Sequence, residues 1–240
     1  MIYIMSDIHG QYDKYKKMLE MINFSDKDFL YVLGDVIDRG PDGVEILLDL
    51  MDRKNVEVFL GNHEHMMLTY LNGIDRHSWF YSQNGGQVTY HRFESYDKET
   101  RNKILDYLYN NTTLVKTLKF KDREYILSHT GFWLDGDKYT KDYKNDIDFV
   151  LDFVWDQYYY RLFDNVEAIK NETGKEITFI SGHRIVKRFH DKLEIYKKDF
   201  GNGYKWIDID CGCALGKDIG KLACVAIGPR SGKISKVYYI

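Results

Sequence analysis

Proline is scarce: Pro41 and Pro229 are the only two in the 240-residue chain, so no proline-rich linker divides it. Internal repeats and low-complexity tracts are missing as well, which excludes solenoids and long disordered connectors. One domain over residues 1–240 is therefore the expectation. Cysteine is nearly as rare. Cys211, Cys213 and Cys224 are an odd set without a disulfide framework, and a reducing cytoplasm is the expected setting. Cys211-Gly212-Cys213 has the spacing of half a metal site, but no second pair accompanies it. Small buried residues are the simpler reading. A large excess of either charge is also missing, since 34 Lys and Arg stand against 37 Asp and Glu, a formal charge of -3. Nucleic acid is accordingly not expected as the main partner, because its recognition leans on neutralising phosphates. Long apolar runs are lacking. Met1 to Met5 meets Ser6-Asp7 too early to be the core of a signal peptide, and no other run would span a bilayer. A membrane is not an expected partner either, and the oligomeric state stays open.

What is present reads as a globular protein, with 44% hydrophobic and 30% charged residues. Ile2 to Met5 predicts a buried strand, and Tyr12, Tyr15, Met18, Leu19 and Ile22 predict a helix. Strands over 29–33 and 56–60 follow, with a helix opened by Pro41 between them and another over 63–71. Such alternation predicts βαβ units and a largely parallel sheet, whose ligands gather outside the carboxyl ends of the strands. After residue 72 the pattern predicts short helices over 79–83, 88–93 and 104–109, forming a helical cap around 72–112. Paired strands are expected at 114–120 and 125–127, a surface loop at 134–148, and helices at 149–155 and 166–169. Five more strands are predicted at 177–180, 193–196, 206–209, 221–227 and 234–239. A βα half followed by a strand-rich half suggests two packed sheets with helices outside.

Polar clusters fall at the predicted strand ends. Asp7 and His9, two apart in an extended chain, would point the same way and could grip one cation; alternatively Asp7 caps the next helix. Asp35 follows a buried strand directly and could bridge two cations. Arg39, in Asp38-Arg39-Gly40, offers a fork suited to phosphate oxygens; a surface Asp38–Arg39 pair is the alternative, disfavoured by two carboxylates and a guanidinium set between glycines at a strand end. Asn62 could ligate through its carbonyl oxygen or cap the helix after it. His63, adjacent to it, is free for proton transfer, and Glu64 reads as structural. His129 and His183 each end a predicted strand, and their matching positions favour ligation over a packing role. His65, His77, His91 and His190 lack such settings and read as core or surface residues. The aromatic run Trp155 to Arg161 could line a groove but reads better as packing.

As an ordered set, Asp7-x-His9-Gly10, Gly34-Asp35-x-x-Asp38-Arg39-Gly40, Gly61-Asn62-His63-Glu64, His129 and Gly182-His183 resemble the calcineurin-like metallophosphoesterases. Within them the chain is similar to the phosphoprotein phosphatases and the related diadenosine tetraphosphate hydrolases, especially compact bacterial and phage forms. Ile207 to Gly212 looks like the family's closing strand and turn. The resemblance implies an α/β fold, a two-sheet β-sandwich flanked by α-helices. It implies two divalent metal ions, manganese foremost, with iron, zinc, nickel or magnesium as alternatives. Asp7, His9 and Asp35 would hold the first, and Asp35, Asn62, His129 and His183 the second. Arg39 would bind phosphate together with Asn62, and His63 would be the proton donor, oriented by Asp38. That carboxylate is expected to raise the His63 pKa, against the opposing effect of the cations. The implied activity is hydrolysis of phosphomonoesters, foremost phosphoserine and phosphothreonine in proteins, by a hydroxide bridging the metals. Hydrolysis of symmetrical diadenosine tetraphosphate, a small phosphorylated substrate, is the alternative. Two departures bear on the choice. Leu60 stands where many protein phosphatases have an arginine, and Trp155 is followed by Asp156-Gln157, leaving Arg161 as the nearest second phosphate-binding arginine.

Overall fold

Residues 1–75, 77–134, 147–156, 171, 173–215 and 219–240 are described by a computed structural model. Two five-stranded mixed sheets form its centre. The first runs β10(Ile234–Tyr239), β9(Ala223–Ile227), β1(Ile2–Met5), β2(Phe29–Val32), β3(Val56–Val58), with β1, β2 and β3 parallel. The second runs β4(Val115–Lys119), β5(Arg123–Ser128), β6(Glu176–Ser181), β8(Tyr204–Asp208), β7(Tyr196–Gly201), with β5, β6 and β8 parallel.

Strand periodicity explains how the sheets stack. Along β1 and β2, Ile4, Tyr31 and Leu33 face one way and join Leu118, Tyr125, Leu127, Ile180 and Ile207 in a core between the sheets. The alternate residues Met5, Leu30 and Val32 face outward into a larger core shared with the helices. Helix α1(Tyr12–Met21) contributes Tyr15, Met18 and Leu19 to it, and α2(Gly43–Met51) contributes Val44, Ile46, Leu47 and Leu50. On the other sheet Phe179 and Trp206 point the same way, against Phe132. The outcome is a sandwich of two sheets with flanking helices, as the resemblance implies.

Helix α3(Asn62–Leu71) is buried from Asn62 through Thr69, which is why it lacks the polar face of a surface helix. Beyond it come a 3-10 turn at Ser78–Phe80, α4(Gly86–Glu94) and α5(Lys98–Asn110). The Asp97 carboxylate caps α5 by accepting the Thr100 N–H at 2.8 Å. Trp79, Phe93, Ile104 and Leu108 tie these elements into the main core.

Several expectations need correction. The helix expected over 79–83 is a single 3-10 turn, because Tyr81 turns to extended backbone (φ -60°, ψ 141°) straight after Phe80. The strand expected at 193–196 instead begins at Tyr196 and runs to Gly201, paired with β8 and closed by Asn202 and Gly203 at positive φ. Asp7 caps nothing: α1 begins after Gln11 without a side-chain cap. The helix predicted at 149–155 is α6(Ile147–Trp155), whereas the helix at 166–169 and nearly all of the loop at 134–148 lie outside the described residues. Among the described residues no helix is long and apolar enough to cross a membrane. All three cysteines are buried and free; burial pushes the Cys213 thiol up to about 12, and among the described residues neither Cys211 nor Cys213 joins a candidate metal cluster.

Candidate active site

The polar clusters gather at the carboxyl ends of the parallel strands. Asp7 and His9 follow β1, Asp35 follows β2, Asn62 and His63 follow β3, His129 follows β5, His183 follows β6 and Asp210 follows β8. The backbone there is unusual. Eight non-glycine residues among those described have positive φ, and six belong to this cluster: Asp7, His9, Asp35, Asp38, Arg39 and His183. Left-handed backbone is costly for such residues and persists where the surroundings enforce it. Asp7 and His9 therefore reach the site from tight turns and not from an extended chain as expected.

One buried carboxylate holds two of these turns together. Glu64 Oε1 accepts the N–H of Val36 (2.8 Å) and Ile37 (3.2 Å), and Oε2 those of Asp35 (2.9 Å) and Gly61 (3.0 Å). The loop after β2 is thereby tied to the start of α3. Glycine is required where the turns meet: Gly34 has φ +85°, and a Cβ there would lie 2.6 Å from the Gly61 nitrogen. A Cβ on Gly182 would collide with the Ser6 hydroxyl and the Asp7 carboxylate.

The histidine tautomers follow from their partners. His9 Nδ1 is 3.0 Å from the Ile37 carbonyl, and His129 Nδ1 is 2.6 Å from the Leu33 carbonyl. A carbonyl only accepts, so both Nδ1 atoms carry the proton and both Nε2 atoms are bare lone pairs. His129 Nε2 faces Asn62 Oδ1 at 3.0 Å and Asp35 Oδ1 at 3.5 Å. His9 Nε2 lies 3.7 Å from Asp35 Oδ2. His183 Nδ1 is 2.9 Å from Asn62 Oδ1, while its Nε2 is buried and unpartnered. Acceptors thus crowd together with too few donors between them, which fits a site built for cations. Among the described residues, two groups have donor atoms close enough for one ion each: His9, Asp35 and His63, and Asp35, His129 and His183. Asp35 belongs to both. Asp7 lies outside them, its carboxylate accepting the Ser6 hydroxyl and, at 3.1 Å on each oxygen, the His183 N–H.

His63 Nδ1 is 2.7 Å from Asp38 Oδ2, which also accepts the Trp79 indole N–H at 2.8 Å. The Asp38 N–H donates to the Thr89 hydroxyl at 2.9 Å. Arg39 spreads its fork between His9 Nε2 (3.0 Å) and His63 Nε2 (3.3 Å). Burial dominates the electrostatics. It takes His63 well below its ordinary pKa, helped by the Arg39 charge and by His129, which weighs against the rise that Asp38 favours. Burial also lowers His129 to about 4 and lifts Asp38 to about 7. Asp7 and Asp35 are pushed well up by burial and by neighbouring carboxylates, Asp210 for the first and Asp7 for the second. Cations in place of bare protons would relieve that crowding.

These residues open onto a cleft of about 460 Å³ that His9, Asp35, Arg39, Asn62, His63 and His183 line. Trp155 reaches the cleft as well as the core. Arg161 lies outside the described residues. Asp210, also on the cleft, was missed as a site residue. It is buried, raised by that burial to about 6, and acts on Asp7. Its only sequence signal is its place after a strand, next to Cys211-Gly212. The basic residues Arg184, Lys187 and Arg188 on the same cleft were missed too.

Comparison with known proteins agrees on the family. The family model described as calcineurin-like phosphoesterase matches residues 1–212. Serine/threonine-protein phosphatase 2 of Salmonella typhimurium is 31% identical over 190 residues, 77% of this chain and 80% of that protein. The symmetrical bis(5'-nucleosyl)-tetraphosphatase of Buchnera aphidicola is 40% identical over 75 residues, but these are 30% of this chain and only 28% of that protein. A serine/threonine phosphatase structure from Saccharomyces cerevisiae superposes with a TM-score of 0.55 at 14% identity, over 99% of this chain and 78% of that one.

Proposed function

From the premise that the chain belongs to the calcineurin-like phosphoesterases, we propose that it is a metal-dependent phosphatase hydrolysing phosphomonoesters, foremost phosphoserine and phosphothreonine in proteins. The observation that carries this is the set of bare acceptor atoms converging on Asp35 beside the Arg39 fork. Asp35, Asn62, His129 and His183 would hold one divalent cation and His9 and Asp35 the other, which Asp7 would join by turning its carboxylate from the Ser6 hydroxyl and the His183 N–H. Manganese is the foremost candidate, since mixed oxygen and imidazole ligands suit first-row metals. When bound, such a pair supplies Lewis-acid polarisation of a phosphoryl oxygen and an activated water at neutral pH.

The chain's own groups do the rest. Arg39 seats the phosphoryl oxygens with two N–H donors that now rest on imidazole nitrogens. His63 turns Nε2 toward the cleft because Asp38 holds Nδ1, and Trp79 holds Asp38. As an imidazolium, with Asp38 accepting from Nδ1, His63 is the proposed proton donor through Nε2 to the leaving oxygen, which as an alkoxide departs poorly without one; the Asp38 carboxylate offsets the burial that opposes this charge. Asn62 begins α3 and presents its carbonyl between His129 and His183.

The long alignment with a serine/threonine phosphatase supports a phosphoprotein substrate. Leu60 favours the second reading, hydrolysis of diadenosine tetraphosphate, as does the short match to tetraphosphatases. A panel of p-nitrophenyl phosphate, a phosphoserine peptide and diadenosine tetraphosphate separates them. Manganese-dependent turnover of the first two, abolished by a chelator, is expected. Turnover of none of them with any divalent metal would end the proposal.

A further inference from the structure

The turn after His183 carries three cations. Arg184 is half-buried, while Lys187 and Arg188 stand exposed on the 3-10 turn Val186–Arg188. All three line the cleft that Arg39 and His63 line. None makes a side-chain ion pair or hydrogen bond with a described residue. The two cleft carboxylates, Asp35 and Asp210, are buried. The segment is well anchored: Arg184 N–H donates to the Gly182 carbonyl at 2.8 Å, Val186 N–H to that of Asp210 at 2.9 Å, and Arg188 N–H to that of Ile185 at 2.9 Å. In a chain with a formal charge of -3, this concentration is a local feature of the cleft.

A phosphate monoester is already served by Arg39 and the proposed cations. Of the three further positive charges, Arg184 acts on the buried Asp210 carboxylate, and the exposed pair Lys187 and Arg188 calls for further negative charge on the same substrate. Because Lys187 and Arg188 sit at the exposed rim, that charge lies on the chain flanking the scissile phosphate. In an extended peptide, side chains two residues apart share a face at roughly 6.6 Å, so an acidic neighbour can reach the rim while the phosphate is seated. We infer that Arg184, Lys187 and Arg188 form a second anion subsite that selects phosphopeptides with an acidic side chain, a carboxylate or a second phosphate, close to the phosphorylated residue. This rests on the phosphatase reading above.

The test uses the full chain loaded with manganese. Its substrates are phosphoserine peptides of one length flanked by glutamate, phosphoserine, alanine or lysine, with diadenosine tetraphosphate and p-nitrophenyl phosphate alongside. The glutamate and diphosphorylated peptides should exceed the lysine peptide by about tenfold in kcat/KM at low salt, the order expected from two or three exposed ion pairs. That preference should shrink as salt rises, and the double variant Lys187→Glu/Arg188→Glu should invert it. Equal kcat/KM across the peptides, or a preference unchanged in the double variant, would overturn the subsite. So would a loss confined to diadenosine tetraphosphate, which would assign the rim to a polyphosphate chain. If the unaltered protein fails on p-nitrophenyl phosphate, the phosphatase reading falls and takes the subsite with it. Turnover of that compound without any peptide preference removes the subsite alone.

Discussion

Replacing Glu64 with glutamine should destabilise the protein severely although it removes no bulk. The carboxylate is fully buried and accepts four backbone N–H groups, two on each oxygen, from Asp35, Val36, Ile37 and Gly61. Burial raises its pKa and these hydrogen bonds oppose the rise. A protonated oxygen would find no acceptor among four donors, so the ionised form is the one that fits. Glutamine offers one oxygen for two of the donors and turns an NH2 group on the other two. Two buried amides then lose their acceptor, at about 1–3 kcal/mol each. Taking about 1.5 kcal/mol for each gives a loss of roughly 3 kcal/mol, against a typical total of about 5–15 kcal/mol. For a chain of this size that lowers Tm by about 6–12 °C. Thermal unfolding followed by circular dichroism reads it. Since Glu64 joins the loop bearing Asp35 and Asp38 to the helix bearing Asn62 and His63, metal affinity should fall together with Tm. A Glu64→Gln protein with unchanged Tm would refute the clamp.

Two further outcomes are expected. The variant His63→Asn should keep its metal content and lose about 10²–10⁴ in kcat on an alkyl phosphate, with a much smaller loss on an aryl phosphate; equal losses would remove the proton-donor role. His65 is buried with an unpartnered Nε2, and burial lowers its pKa from 6.5 to about 4. The unfolded chain therefore binds the extra proton first, so stability should be complete above pH 6.5 and fall toward pH 4, by at most about 1.4 kcal/mol per pH unit. Urea titrations of the unaltered protein and of His65→Leu across that range should differ in slope, and parallel lines would contradict the assignment.

How much of this was legible beforehand depended on the kind of signal. Parallel strands were visible as short apolar runs such as Ile2 to Met5, and the polar clusters that end them announced themselves because the ends of such strands converge. Tight turns were less visible. The left-handed backbone at Asp7, His9 and Asp35 is set by bonds such as His9 N–H to the Asp35 carbonyl at 2.9 Å, contacts distant in sequence that no local pattern encodes. Asp210 was hidden because a lone acid after a strand looks like any turn residue. The rim cations went unseen because Arg184, Lys187 and Arg188 read as ordinary surface charge until the fold turned them onto the cleft. The balance at His63 stayed open for a related reason: the Asp38 partner was legible at Gly-Asp-x-x-Asp-Arg, but the extent of burial around both, which lowers the imidazole pKa, was not.

The central claim is that Asp35 joins two cation sites into one centre. Metal analysis of manganese-loaded, gel-filtered protein tests it most directly when unaltered chain and Asp35→Asn are compared and turnover of p-nitrophenyl phosphate is measured in the same samples. About two ions per chain are expected in the unaltered protein, with both the metal and the turnover lost in the variant. An Asp35→Asn protein that retains its full metal content and its activity would contradict the account.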